Sequence, residues 1–247
     1  MQEYISRILE NKKLTSDIYM MTLETQDMNF INPGQFAMVA VRGKFLRRPI
    51  SVCTFDSDRY TLVYKVVGEG TEIMSSMKEG EFLDALTGLG NGYDIDRIPD
   101  DAMLIGGGIG IPPLLGLAQS LVMAGKRFKV LLGYTNVREM FFVNEFMRFS
   151  DEVAVMTNDG SYGGRGLVTD AFESCEYACA CGPLPMLSSL REKVDEGQFS
   201  LEARMACGFG ACMGCSIKTA DGFSRVCKEG PVFDKNAVDW ENLKDLK

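Results

Sequence analysis

Hydrophobic and polar positions change their rhythm twice along the 247 residues of this chain. Over the first hundred residues, apolar positions come in short β-branched or aromatic runs: FAMVAV at 36–41, SVCTF at 51–55 and YTLVYKVV at 60–67. Turn formers separate them, NPG at 32–34, DSDR at 56–59 and GEG at 68–70. Short strands at this spacing predict an antiparallel barrel or sandwich. Near Pro99 the rhythm lengthens. AMLIGGGIGIPPLLGLAQSLVMAGK reads as a buried strand at 102–105, a glycine turn, and a helix with Pro112 and Pro113 in its first turn, where a missing amide hydrogen costs little. FKVLLGYT at 128–135 predicts a second strand, MFFVNEFMRF at 140–149 a helix, EVAVMT at 152–157 a third strand and YACACG at 177–182 a fourth. Strands alternating with helices predict a doubly wound parallel sheet. After about residue 200 the pattern breaks again, into a segment rich in glycine and cysteine and a short tail. The expected organisation is therefore a β-barrel over 1–98, an α/β domain over 99–200, and a small carboxyl-terminal domain over 201–247.

Composition narrows what such a chain can do. It holds no histidine, which excludes a Ser-His-Asp or Cys-His nucleophile and any His-liganded zinc. Its net charge of −8 argues against nucleic acid as a partner. Eight cysteines are too few for a disulfide scaffold of this length, and the stretch MQEYISRILENKK is too charged for a secretory signal. The expected compartment is a reducing cytoplasm. No apolar run approaches the roughly 18 residues of a membrane span, so no membrane partner is expected.

Cys207, Cys212, Cys215 and Cys227 are spaced C-x4-C-x2-C-x11-C. Structural zinc sites usually come as two short C-x2-4-C knuckles, whereas C-x4-C-x2-C with a distant fourth cysteine is the plant-type ferredoxin spacing for a 2Fe-2S cluster. Gly208, Gly210 and Gly214 let the backbone wrap closely and aim amides at sulfur, while Ala206, Ala211 and Met213 offer small or apolar cover. The pattern points to the cluster, with a zinc grip and unligated thiols as alternatives. Cys53, Cys175 and Cys179 read as small buried apolar residues. Cys181 is different, because it ends a strand at the carboxyl edge of the expected sheet, where open α/β sheets bind ligands.

Two further motifs carry candidate chemistry. GGGIGIPP at 106–113 follows a buried strand and opens a helix, as a dinucleotide turn does, but Ile111 and Pro113 stand where a third glycine would be in the two possible frames. It fits either a nucleotide site or a tight structural loop. RRPIS at 47–51 places an arginine fork, suited to phosphate, beside a serine able to hydrogen-bond a polar ring edge. The bland reading of that pair is solvated surface charge.

Taken in order, RPIS in a barrel, then GGGIGIPP, then CGPLPM at 181–186, resemble over nearly the whole chain the flavin and nicotinamide modules of the ferredoxin reductase family. RMACGFGACMGC and VCKEGPVF resemble, more narrowly, the electron-transfer subunits of type B dihydroorotate dehydrogenases. That resemblance implies FAD in the barrel, NAD as co-substrate on the second domain and a 2Fe-2S cluster on the last. Carried over by residue, Arg48, Pro49, Ile50 and Ser51 would hold the flavin's ribityl and phosphate region and its ring. Val63, Tyr64 and Lys65 would line the FAD, with Gly70 and Thr71 on its pyrophosphate. Gly107, Gly108, Gly110 and Pro112 would form the nicotinamide-dinucleotide turn, and Cys181, Gly182 and Pro183 would sit near the nicotinamide. One loop departs from the family: in TGLGNGYD at 87–94, Thr87 and Leu89 stand where related chains often read Gly-Pro-x-Gly. GYTNVRE at 133–139 offers Arg138 but neither an arginine pair nor a clear acidic reader of the ribose, so NAD rather than NADP rests on the resemblance.

The resemblance further implies electron flow from the cluster through FAD to NAD, and a separate FMN-containing catalytic subunit that oxidises dihydroorotate, in a heterotetramer of two plus two. Hydride transfer between stacked rings needs no protein base, which suits a chain without histidine. Subunits of hydrogenases and of NADH-dependent ferredoxin:NADP oxidoreductases share the same three modules and remain the runner-up, and a zinc-stabilised nucleotide-binding regulator is the alternative from another class.

Overall fold

The computed structural model describes residues 1–25, 30 and 32–245. Among these, the first part closes into a barrel of β1 (Gln2–Lys13), β2 (Ile18–Glu24), β3 (Phe36–Val39), β4 (Arg48–Phe55), β5 (Arg59–Lys65) and β6 (Phe82–Leu89), in the order β1-β2-β5-β4-β3-β6, all pairs antiparallel. Alternation along the strands turns Ile8, Met21, Leu23, Val52, Leu62 and Leu83 inward to form its core. Two tyrosines buried there keep their hydroxyls satisfied, Tyr60 on Ser6 Oγ at 3.3 Å and Tyr64 on Asn11 Oδ1 at 3.0 Å. Helix α1 (Glu69–Ser76) follows β5, and Thr71 Oγ1 fixes its start by accepting the Val67 N–H at 3.0 Å.

The second domain runs β7 (Ala102–Gly107), α2 (Ile111–Met123), β8 (Phe128–Tyr134), α3 (Val143–Phe146), β9 (Val153–Thr157), β10 (Gly164–Arg165), β11 (Cys175–Cys181), α4 (Leu184–Leu190) and β12 (Val194–Ser200). The chain leaves β7 toward β8, β9 and β10, then crosses back to β11 and β12 on the other side, all in parallel. The reversal between β7 and β11 is the topological switch point, where the carboxyl ends of the strands leave a crevice for ligands. Helix α2 is buried on nearly every side because the sheet covers one face and β4 of the barrel the other, with Gly116 turned to the Cys53 carbonyl. Tyr93, wholly buried, ties the linker to the sheet by donating to the Ala180 carbonyl at 3.0 Å.

The helix expected over 140–149 shrinks to the single turn α3. Tyr134 Oη donates to the Phe141 carbonyl at 2.6 Å, the Phe141 and Phe142 rings pack edge to face, and Phe142 takes a left-handed φ of 66° that no helix allows. Aromatic packing has overridden helical periodicity.

The carboxyl-terminal segment forms a hairpin, β13 (Ser216–Thr219) with β14 (Gly222–Arg225), and then β15 (Val232–Asp234), which pairs antiparallel with β12. The last part of the chain thus adds an edge strand to the sheet of the second domain. In the tail, Trp240 meets the Phe199 ring edge to face, its Nε1 donates to the Lys235 carbonyl at 2.8 Å, and Leu243 is buried. Leu246 lies outside the described residues.

Candidate functional site

A cavity of about 380 Å³ opens where the barrel meets the second domain. Strand β4 contributes Arg48, Pro49, Ile50 and Ser51 to its wall, β5 contributes Val63, Tyr64 and Lys65, and α1 contributes Thr71. Ile109, Pro112, Pro113 and Cys181 face them from the second domain, and Leu201, Glu202, Ala203 and Met205 close a further side. Gly70 does not line the cavity but shapes it: a Cβ there would collide with Arg48 Nε and lie 2.9 Å from Cζ. The two neighbouring arginines have separate fates. Arg47 is saturated by Glu3 at 2.6 Å and by both oxygens of Asp84 at 2.8 and 3.0 Å. Arg48 donates to the Leu46 carbonyl and joins no ion pair among the described residues. A guanidinium that is tied up in no ion pair, with only the longer-range charge of Glu69 near it, lying on a largely apolar cavity and packed on the first turn of a helix, fits the pyrophosphate of a bound dinucleotide. Burial pushes the Cys181 thiol up to about 12, with the Glu202 carboxylate adding to the shift, so Cys181 stands protonated on that wall.

On the other side of the glycine turn lies a second cavity of about 330 Å³, at the switch point. Gly107, Gly108 and Pro183 line it, while Pro112 and Cys181 belong to the first cavity. Gly110 and Gly182 line neither. Their missing side chains let the turn close on β11, since a Cβ on Gly110 would strike the Cys181 carbonyl and one on Gly182 would strike Met186. The stretch GYTNVRE does hold an acid that sequence reasoning passed over: a short 3-10 turn after β8 swings Glu139 onto the cavity wall, where Asn136 Nδ2 donates to its Oε1 at 3.4 Å. A carboxylate at that place could accept from ribose hydroxyls and would repel a 2′-phosphate. It lies in the turn that follows β8, and that nearness to the strand was the available signal.

The TGLGNGYD loop is occupied structurally. Thr87 is buried in β6, and Gly90 lies so close to Pro231 that a Cβ would collide with its ring.

The four cysteines come together as two pairs. The Cys212 N–H donates to Cys207 Sγ at 3.4 Å, and the Cys227 N–H to Cys215 Sγ at 3.4 Å. Cys215 and Cys227 are buried, Cys212 is exposed and Cys207 is half-buried. Gly208 and Gly210 take φ of +77° and +89°, which lets the loop fold its amides back on sulfur. Burial pushes the Cys207 thiol up, but the N–H groups of Cys212, Phe209 and Ala211 outweigh it and hold the pKa at about 6. Burial pushes Cys227 up to about 12, the neighbouring Cys215 adding to it. Among the described residues no three metal-binding side chains converge on a single-ion position. Two pairs of thiols fit two irons, two thiolates to each, better than one tetrahedral zinc. A Cβ on Gly208 would collide with Met38 of β3, so the cysteine loop rests on the barrel.

An antiparallel barrel, a parallel sheet with a switch-point crevice and a cysteine loop packed on the barrel define a reductase of the ferredoxin reductase fold. Residues 202–239 match the model of the iron-sulfur cluster binding domain of dihydroorotate dehydrogenase B. The chain belongs to the family of electron transfer subunits of dihydroorotate dehydrogenase B (NAD(+)). It is 42% identical to that subunit from Caldanaerobacter subterraneus subsp. tengcongensis, covering 92% of this chain and 95% of the relative. It is 39% identical to the one from Fusobacterium nucleatum, covering 94% and 96%. Among solved structures, an NADH-dependent reduced ferredoxin-NADP oxidoreductase superposes with a TM-score of 0.89 at 30% identity, covering 98% of this chain and 93% of the other. Phthalate dioxygenase reductase shares the fold at a TM-score of 0.67 and 18% identity, covering 88% and 87%.

Proposed function

We propose that this chain carries electrons between a nicotinamide and a catalytic partner, with the first cavity holding FAD, the second holding NAD and the cysteine loop holding a 2Fe-2S cluster. The single observation that carries the reading is the makeup of the first cavity: barrel strands, the far side of the nucleotide turn and the segment 201–205 that leads into Cys207 all line it. FAD bound there would supply both hydride exchange with a nicotinamide and single-electron exchange with an iron-sulfur cluster, which places its site between the two.

The chain's own residues do the positioning. Arg48 and the first turn of α1 hold negative charge at one end of the cavity, and the Pro49-Ile50-Ser51 strand fixes the ring end. The glycine turn presents Gly107 and Gly108 to one cavity and Ile109 and Pro112 to the other, so a single short segment separates the two sites. Protonated Cys181 offers no thiolate that would compete for a hydride acceptor. Glu139 selects NAD over NADP. Cys212 is exposed and Cys207 half-buried while Cys215 and Cys227 sit inside, so the loop has one side for a partner and one against the protein.

The partner is an FMN-containing subunit that oxidises dihydroorotate, joined in a heterotetramer of two plus two in the cytoplasm. Electrons enter at the cysteine loop and leave to NAD, serving pyrimidine biosynthesis. Replacing Cys212 by serine should abolish dihydroorotate-dependent reduction of NAD in the complex while FAD stays bound. An unimpaired coupled rate in that variant would refute the route. Copurification tests the partner: an FMN-barrel subunit supports the reading, and a hydrogenase or multi-cluster subunit contradicts it.

A further inference from the structure

We propose that Arg225 sets the reduction potential of the cluster held by Cys207, Cys212, Cys215 and Cys227, and that Glu229 moderates its effect. The inference rests on the reading of this loop as a 2Fe-2S grip. The hairpin that begins directly after Cys215 returns in register, Ser216 opposite Arg225, and so brings Arg225 back beside Cys215, two residues before Cys227. There the guanidinium is locked in place. Nη1 reaches across the loop to the Gly210 carbonyl at 2.7 Å, Nε donates to Glu229 Oε2 at 2.9 Å, and Nη2 pairs with Glu229 Oε1. The same Glu229 Oε2 accepts the Arg225 backbone N–H at 2.8 Å. The Arg225 side chain is 23% exposed, more sheltered than Glu229 at 39%, and its charge acts on both Cys227 and Cys215.

A cluster with four thiolate ligands gains one negative charge on reduction. A cation fixed beside its sulfurs favours the reduced state, and cluster potentials respond to such charge, to hydrogen bonding and to exposure. Glu229 is bonded to two nitrogens of the same guanidinium and cancels part of its field. Arg225 is therefore a positioning and tuning residue: one donor ties down the loop at Gly210, and the charge shifts the electron affinity of the cluster. An ion pair that merely braced the loop would show the same direction of effect whichever partner were removed. An electrostatic device gives opposite signs.

The test is an anaerobic potentiometric titration of the intact holoprotein, read by the EPR signal of the reduced cluster, with iron and sulfide content measured alongside. Arg225→Gln should lower the equilibrium constant for one-electron reduction by about threefold to tenfold, and Glu229→Gln should raise it by a similar factor. Tenfold corresponds to about 59 mV for a single electron. Arg225→Lys keeps the charge without the fork and should stay within about twofold of the parent. Should Arg225→Gln lose its cluster, the upward shift in Glu229→Gln carries the test alone. Equal potentials, or shifts of the same sign in Arg225→Gln and Glu229→Gln, overturn the inference. A parent holoprotein with no reducible cluster overturns the reading beneath it.

Discussion

Gly70→Ala separates flavin binding from folding. The added Cβ would collide with Arg48 Nε and lie 2.9 Å from Cζ and 3.0 Å from Nη2, so the guanidinium must move by about an ångström to restore ordinary contact. Arg48 is the flexible end of a long side chain, so it yields outward and the fold is spared. The loss falls on whatever Arg48 holds. A charge-assisted hydrogen bond is worth about 1.5–3 kcal/mol, which at 1.4 kcal/mol per decade weakens FAD binding by about tenfold to a hundredfold. Gly70 lies in α1 outside the left-handed region, and alanine is preferred to glycine in a helix by up to about 1 kcal/mol. Titration of the flavin-free protein with FAD, followed by quenching of flavin fluorescence, should therefore show a weaker Kd, while the melting temperature of the flavin-free protein holds or rises. A Kd within about twofold of the parent would show that Arg48 does not touch the flavin's phosphates.

Glu139→Gln should raise KM for NAD about tenfold and narrow the preference over NADP in steady-state assays with both nucleotides; an unchanged ratio would remove Glu139 from the ribose site. Trp240→Ala should destabilise the folded chain by about 3–5 kcal/mol in chemical denaturation, because the indole packs on Phe199 and donates to the Lys235 carbonyl; a loss under about 1 kcal/mol would mean that the tail does not brace the sheet. Cys212→Ser should keep FAD and lose coupled turnover, as set out above.

Architecture was legible where local signals agree with tertiary packing. The runs at 36–41, 51–55 and 60–67 lie on β3, β4 and β5, and the strand, glycine turn and proline-led helix after Pro99 form as their pattern requires. The rest was hidden for identifiable reasons. Strand β1 ends in the polar string ENKK, of which only Asn11 turns toward the protein, and its buried residues are just Ser6 and Ile8, so no apolar run is visible. The helix at 140–149 failed because Phe141 packs as a loop residue on Tyr134, and Phe142 on Phe141. β15 is only three residues long and belongs to a sheet whose other strands end at Ser200, a pairing no local pattern announces. In the site, cysteine spacing specified four thiols in one segment, and the structure divides them into pairs. Spacing could not separate Arg47 from Arg48, because only the fold brings Glu3 and Asp84 to Arg47. Glu139 escaped because its role depends on a 3-10 turn that follows the strand.

A chain that joins a nicotinamide, a flavin and an iron-sulfur cluster in sequence must let NADH reduce both the flavin and the cluster. Anaerobic titration of the purified holoprotein with NADH, followed together by visible absorbance and EPR, tests it most directly. One FAD and about two irons per chain are expected, with bleaching of the flavin bands on adding NADH and the appearance of a reduced 2Fe-2S signal that is absent in Cys212→Ser. A colourless protein holding zinc, or a flavin that bleaches while an intact cluster stays oxidised at a potential NADH can reach, would contradict it.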